Sequence, residues 1–153
     1  MSEVTYEGKI YKDLDMDVQK SFEAVNIHTF RYFPKDRLWM ASDLTTKYFH
    51  INKFYKINDY DNGPGVIYEG DRDKDHALYT AIVSGERDVV SDHLRSSDGE
   101  KNFRVTLAAI ERDENGKPVT VSGIIEDYDE KMVEGELIRM LANDYYSVFC
   151  VDF

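Results

Sequence analysis

Apolar and polar positions alternate with a period of two through three successive segments of residues 95 to 127. Phe103, Val105, Leu107 and Ala109 fall on one side, and Asn102, Arg104 and Thr106 on the other. Val119, Val121, Gly123 and Ile125 repeat the period. The segments are separated by Asp98-Gly99 and by Asn115-Gly116, the latter followed by Lys117 and Pro118. Both dipeptides tolerate the positive φ of tight hairpin turns. The pattern predicts a three-stranded antiparallel meander with one apolar face, and such a face must be buried against something.

The period changes elsewhere. Residues 1 to 12 have none and read as a frayed arm or an added strand. Leu14, Val18, Phe22 and Val25 follow helical spacing, which predicts an amphipathic helix capped by Asp13 or Asp15. Segments 27–33 and 37–42 flank Pro34-Lys35-Asp36 and predict a second hairpin. Asp43 opens a short helix through Leu44, Tyr48 and Phe49. Residues 58–65 are turn formers, followed by a short apolar piece, Val66-Ile67-Tyr68. Asp71 then opens a helix carrying Ala77, Leu78, Ala81 and Ile82, ended by Ser84-Gly85. After Asp127, Met132, Val133, Leu137, Met140 and Leu141 form a helical stripe, and residues 146–153 turn strand-like. The expected class is α+β: one five-stranded antiparallel sheet with the middle helices across one face, flanked by a helix at each end.

Composition narrows the function classes. The 153 residues are enough for one domain with extensions and a full core. The net charge of −11, without a basic stripe, disfavours nucleic acid and anionic membrane as partners. The single cysteine, Cys150, excludes an intrachain disulfide or a cysteine-based zinc site. With no leader-like or 18-residue apolar segment, the expected location is the cytoplasm.

Arg95-Ser96-Ser97-Asp98-Gly99, then Phe103, then Arg112-Asp113-Glu114-Asn115-Gly116-Lys117-Pro118, then Gly123-Ile124-Ile125-Glu126-Asp127-Tyr128-Asp129-Glu130 form a spaced series. It resembles the end of a PAS sensory domain of the kind found in bacterial multidomain signalling receptors. There a basic residue, x-x-D-G, an aromatic-led strand, R-D-x-x-G-K-P and a terminal D-I-T-E recur in that order. The motif series covers about 35 residues, and the upstream order of elements agrees over about 100. The chain departs from the family at Tyr68-Glu69-Gly70-Asp71, where only the last residue of the family's H-P-D-D remains, and at Tyr128-Asp129 inside D-I-T-E. The resemblance implies an N-terminal arm and helix (1–26), a PAS domain (27–128), a signalling helix (129–145) and the start of a following domain (146–153). It also implies an N-terminal fragment of a larger receptor ending in a histidine kinase or diguanylate cyclase. The chain alone is then not an enzyme. It relays a signal through Asp127, Asp129 and Glu130 to downstream domains of the same chain.

Candidate chemistry is sparse. Between sheet and helices, Phe30, Tyr48, Phe49, Leu78, Ile82, Phe103 and Leu107 are the candidates for a ligand pocket, although packing alone uses such residues in most small domains. Haem and flavin are the cofactors the resemblance permits, and the ligand itself is not named by the sequence. His76 lies on the helix that supplies the iron ligand in haem-binding members; the plainer reading is a solvent-facing histidine beside Asp73 and Asp75. The flavin-photoreceptor cysteine is missing from its helix, since Cys150 lies outside the domain. Asp71-x-Asp73-x-Asp75 fails as a calcium loop, because His76 and Ile82 stand where Gly and Glu are required. His28, His50, His76 and His93 show no helical zinc spacing, so no metal is expected. Two other readings remain: a ligand-free homodimerisation spacer using the first and last helices, and a small α+β enzyme with an acidic base in a pocket.

Overall fold

The computed structural model describes residues 2–57 and 64–128. The expected signalling helix, Asp129 and Glu130, and the start of a following domain lie outside the described residues. The elements run β1 (Ser2–Tyr6), β2 (Lys9–Asp13), α1 (Met16–Glu23), β3 (Ile27–Phe33), β4 (Leu38–Ala41), α2 (Asp43–Phe49), β5 (Phe54–Lys56), α3 (Arg72–Val83), β6 (Val89–Arg95), β7 (Asn102–Arg112) and β8 (Pro118–Tyr128). Among the described residues six strands form one sheet in the order β5-β4-β3-β8-β7-β6, every neighbour antiparallel, and β1 pairs with β2 alone.

The meander is where its period placed it. Phe103, Val105, Leu107, Val121 and Ile125 are buried in the main core with Phe30, Tyr32, Trp39, Leu78, Tyr79 and Ile82. The first of its two turns is longer than a two-residue hairpin. It spans residues 96–101 and is closed by Ser96 N donating to Lys101 O at 2.8 Å. Near the second turn the β7–β8 ladder shifts register between Ala109 and Arg112, so Pro118 and Thr120 are buried rather than Val119.

The sheet has six strands, not five. The added strand, β5, is three residues long, too short to show a period, and it pairs with β4 through Leu38↔Lys56 to Met40↔Phe54. The N-terminal residues are a hairpin, neither frayed nor part of the main sheet. Glu7 and Gly8, both at positive φ (48° and 78°), make its turn. The hairpin covers the outer face of the sheet. Tyr11 joins Phe33, Leu38 and Met40 in a second buried cluster, with Val4, Tyr6 and Phe54 packed against it. Tyr11 lies 4.7 Å from Phe33 and Tyr6 stacks on Phe54 at 4.2 Å, centroid to centroid. Segments Phe30–Phe33 and Leu38–Ala41 are therefore buried on both faces.

The first helix differs from its predicted stripe. It starts at Met16 because Asp13 still belongs to β2, and Asp15 takes the cap position. Val18 and Val25 point outward, and the buried residue is Gln19. Gln19 Nε2 donates to Leu14 O at 2.8 Å, and its Oε1 accepts from Leu44 N at 3.2 Å, so it ties α1 to the first turn of α2. Buried Asp13 accepts from Ser42 Oγ at 2.9 Å, and Ser42 Oγ accepts from Thr29 Oγ1 at 2.7 Å. This polar seam fastens the hairpin to the outer face and ties α1 to α2, with each buried group named here holding a partner.

The family-like residues are structural ties. Asp71, buried at the start of α3, accepts from Arg95 N at 2.8 Å, Arg95 Nε at 3.0 Å and Arg95 Nη2 at 2.9 Å. The Arg95 hydrogen bonds hold the Asp71 carboxyl at about 2. Arg112 Nη1 donates to Gly85 O at 2.9 Å and Gly116 O at 2.8 Å, and Lys117 Nζ donates to Ser84 O at 2.8 Å. These cations satisfy carbonyls at and just beyond the end of α3 and complement its dipole.

Gly123, in β8, faces Phe30 in β3. A Cβ at 123 would run into the Phe30 ring, so only glycine lets that ring lie flat across the strand. Gly123→Ala should cost about 1–3 kcal/mol, the usual penalty of overpacking. Urea denaturation checks this, and the penalty should shrink in a Phe30→Leu background; an unchanged penalty would mean the ring is not its cause. Asp71→Asn should cost about 1–3 kcal/mol, because the Arg95 donors lose a charged acceptor. A carboxyl held below its unfolded value of 3.8 adds stability that is complete above that value and is lost as pH falls from about 4 toward about 2. The Asn variant should lack that part of the acid unfolding curve.

Candidate functional site

The seven residues expected to line a pocket all belong to the inner side of the sheet. Phe30, Leu78, Ile82, Phe103 and Leu107 are buried in the core, Phe49 is partly buried against it, and Tyr48 is 39% exposed. Phe30 stacks on Trp39 at 4.8 Å, and Phe49 meets Phe103 edge-on at 5.7 Å. These contacts bring the seven into one packed region running from the centre of the sheet to the outer end of α2.

At that end lies a group that the sequence reading passed over. His28 is only 2% exposed, and among the described residues neither ring nitrogen has a hydrogen-bond partner. Its ring stacks on Tyr48 at 3.9 Å and meets Phe49 edge-on at 5.3 Å. Burial lowers its pKa, with the Asp127 and Glu23 carboxylates pulling the other way. The neutral imidazole is therefore favoured inside the fold. Tyr48 Oη donates to Asp127 Oδ2. Burial and this bond push the Tyr48 hydroxyl up to about 12. Asp127 is thus fastened to α2 one residue before the end of β8, while Phe103 opposes it in the β7–β8 ladder. The signal for His28 was available: it shares the parity of Phe30 and Tyr32 in Ile27–Phe33, and period two puts it inward.

A second feature is an open cavity of about 660 Å³ at the opposite end of the sheet. It lies between α3, the β3–β4 turn and the turn before β8. Tyr32, Tyr79, Ile57 and Val83 give it apolar surface. Lys35, Arg37, His76 and Lys117 also line it, with Asp113 the acidic member. Tyr32 and Tyr79 meet edge-on at 5.2 Å, and Trp39 Nε1 donates to Tyr79 Oη at 3.1 Å. Burial raises the pKa of both tyrosines, against the opposing charge of Arg37 at Tyr32. Asp113 pairs with Lys35 at 3.0 Å, which lowers its carboxyl. His76 is exposed on α3 and opens onto this cavity, while His93 is exposed on β6. Asp75, one turn before Tyr79 on α3, is pushed up to about 7 by burial. Among the described residues there is no cluster suited to hold a metal ion, and no helix is long and apolar enough to cross a membrane.

No protein-family model and no curated protein matches the chain. Solved structures do. A sensory box histidine kinase/response regulator from Burkholderia thailandensis is 16% identical over 85% of this chain and 98% of that one, with a TM-score of 0.54. The domain of a histidine kinase described as light and redox sensing, from Haloarcula marismortui, is 14% identical over 75% of this chain and all of that one, with a TM-score of 0.51. At such identities the likeness is one of fold. In this chain β3, β4 and β5 lie on one side of the last strand, β8, and β7 and β6 on the other. The described residues have the fold of the PAS sensory domain.

Proposed function

We propose that the chain is a sensory and signal-relay module of a bacterial signal-transduction protein. It senses a small ligand or a partner on its inner side and relays the state of the sheet through the end of β8. The carrying observation is the bond from Tyr48 to Asp127, because it ties a helix over the inner face to the last residues of the sheet. His28, stacked beneath Tyr48, couples that bond to β3. A relay needs two states that a signal weights differently, and a bond that is made in one and broken in the other supplies them. The following domains of the same protein, with a histidine kinase or diguanylate cyclase as output, receive the change. Catalysis belongs to that output and not to this module, which works in the cytoplasm.

A second reading, a ligand-free spacer that dimerises, is favoured by outward apolar side chains on β2, on α1 and just beyond the end of α1. Ile10 is 63% exposed, Val18 40% and Val25 61%. A second copy would cover them. Sedimentation of the purified chain separates the readings: a clean monomer at high concentration removes the spacer, and a dimer that Val18→Asp dissolves supports it.

In the intact signalling protein, Asp127→Ala should uncouple input from output while the isolated module keeps its fold by circular dichroism. Tyr48→Phe, which removes only the hydroxyl, should have the same effect in weaker form. In the isolated module, hydrogen exchange at residues 124–128 should speed up in both variants. Unchanged exchange together with unchanged signalling would remove the relay role from this pair.

A further inference from the structure

The cavity beside α3 is out of character with the chain that forms it. The protein carries 30 acidic and 19 basic residues, a net charge of −11. Yet the cavity's lining holds three permanently cationic side chains, Lys35, Arg37 and Lys117, with His76, against the single carboxylate of Asp113. An acidic protein gathers these groups at one place only against the repulsion of like charges. The arrangement is layered as well. Tyr32 and Tyr79, 7% and 6% exposed, form an apolar floor, with Ile57 and Val83 beside them. Lys35, Arg37 and Lys117 are exposed and stand around the mouth.

Three placements hold the cations there. Arg37 closes the 3-10 turn Pro34–Asp36 in the left-handed region, at φ 51°, a conformation that ordinary residues avoid. Lys35 is anchored by Asp113, which is itself fixed by accepting from Asn115 N at 2.9 Å and Lys117 N at 3.0 Å. Lys117 reaches across to Ser84 O at the end of α3. An ammonium group carries three protons, and the contact described here for Lys35 and for Lys117 uses one of them, which leaves donors for a ligand. The volume of about 660 Å³ lies in the range of small-molecule pockets.

We propose that this cavity binds a small organic acid: a flat apolar body on the tyrosine floor, and a carboxylate held at the rim by Arg37, Lys35 and Lys117. The apolar floor selects against bare inorganic anions. The basic rim selects against neutral compounds of the same shape, since a site built to bind charge loses most by leaving it unpaired. Thr80 and Ser84 add hydroxyls on the α3 side of the wall. The inference does not depend on the relay through Tyr48: binding here is measurable whether or not that bond transmits anything.

The test is a ¹⁵N NMR titration of the full chain with indole-3-acetate as probe. Indole-3-acetamide and inorganic phosphate serve as the neutral and the bare-anion comparisons. Saturable shifts should appear at Ile57, Tyr79, Thr80 and Val83, with the amide binding about tenfold more weakly, as loss of one charge-assisted contact predicts. Arg37→Asn keeps the left-handed backbone, which asparagine tolerates, and should weaken the acetate about tenfold while leaving the amide unchanged. Val83→Trp should fill the cavity and abolish binding; a second filling variant, Thr80→Trp, decides the matter if the first does not fold. The proposal is overturned if the acetate produces no saturable shift at millimolar concentration or shifts only residues elsewhere. It is also overturned if the amide binds equally well, or if phosphate alone binds as tightly as the acetate.

Discussion

Burial on both faces of β3 and β4 is the constraint from which the rest follows. A strand in an antiparallel sheet usually shows one face to water and alternates accordingly. Here Leu38 and Met40 face the N-terminal hairpin while Trp39 and Ala41 face the core. The inner face is closed by α3 and by the aromatic stack of Phe30 on Trp39. The outer face is closed by Tyr11 and the polar seam through Asp13, Ser42 and Thr29. Neither cover suffices alone, because uncovering either side would expose large apolar groups at about 25 cal/mol for every Å².

The two candidate sites stand at the ends of the sheet, away from this doubly covered centre. In the middle, Phe30 fills the space over Gly123. Toward one end, α2 covers the sheet through His28, Tyr48 and Phe49, and its hydroxyl contact reaches Asp127. Toward the other, α3 ends, and carbonyls there are taken by Arg112 and Lys117. The same lysine that satisfies the end of α3 stands at the rim of the cavity. A ligand that draws Lys117 away from Ser84 would therefore be felt by α3, and α3 packs on the core that β3 shares.

Much of this was legible in the residues, and for identifiable reasons. Asp98-Gly99, Asn115-Gly116 and the alternation of Phe103, Val105 and Leu107 carry strong local signals that tertiary packing did not override. Asp71 stood out as the one remaining residue of a motif, and its three contacts with Arg95 give that survival a cause. The N-terminal hairpin was not legible because its turn is Glu7-Gly8, without the asparagine or aspartate that usually marks one, and because among the described residues its strands pair only with each other. The helical stripe of Leu14, Val18, Phe22 and Val25 misled because α1 is held by Gln19, a polar anchor that periodicity does not weigh. His28 escaped for a related reason: an inward position in an alternating strand is read as important when it is apolar, and a histidine there is passed over. The cavity escaped because its cations come from two separate turns, neither of them basic enough to stand out by itself.

Native-state hydrogen exchange, residue by residue, tests the two-sided core most directly. The backbone amides of β3 and β4 should be the slowest in the protein, opening only with global unfolding, while those of the edge strands β5 and β6 exchange through local opening. If β3 and β4 exchange as fast as the edges, the hairpin is not a structural cover and the sheet is held from one side only.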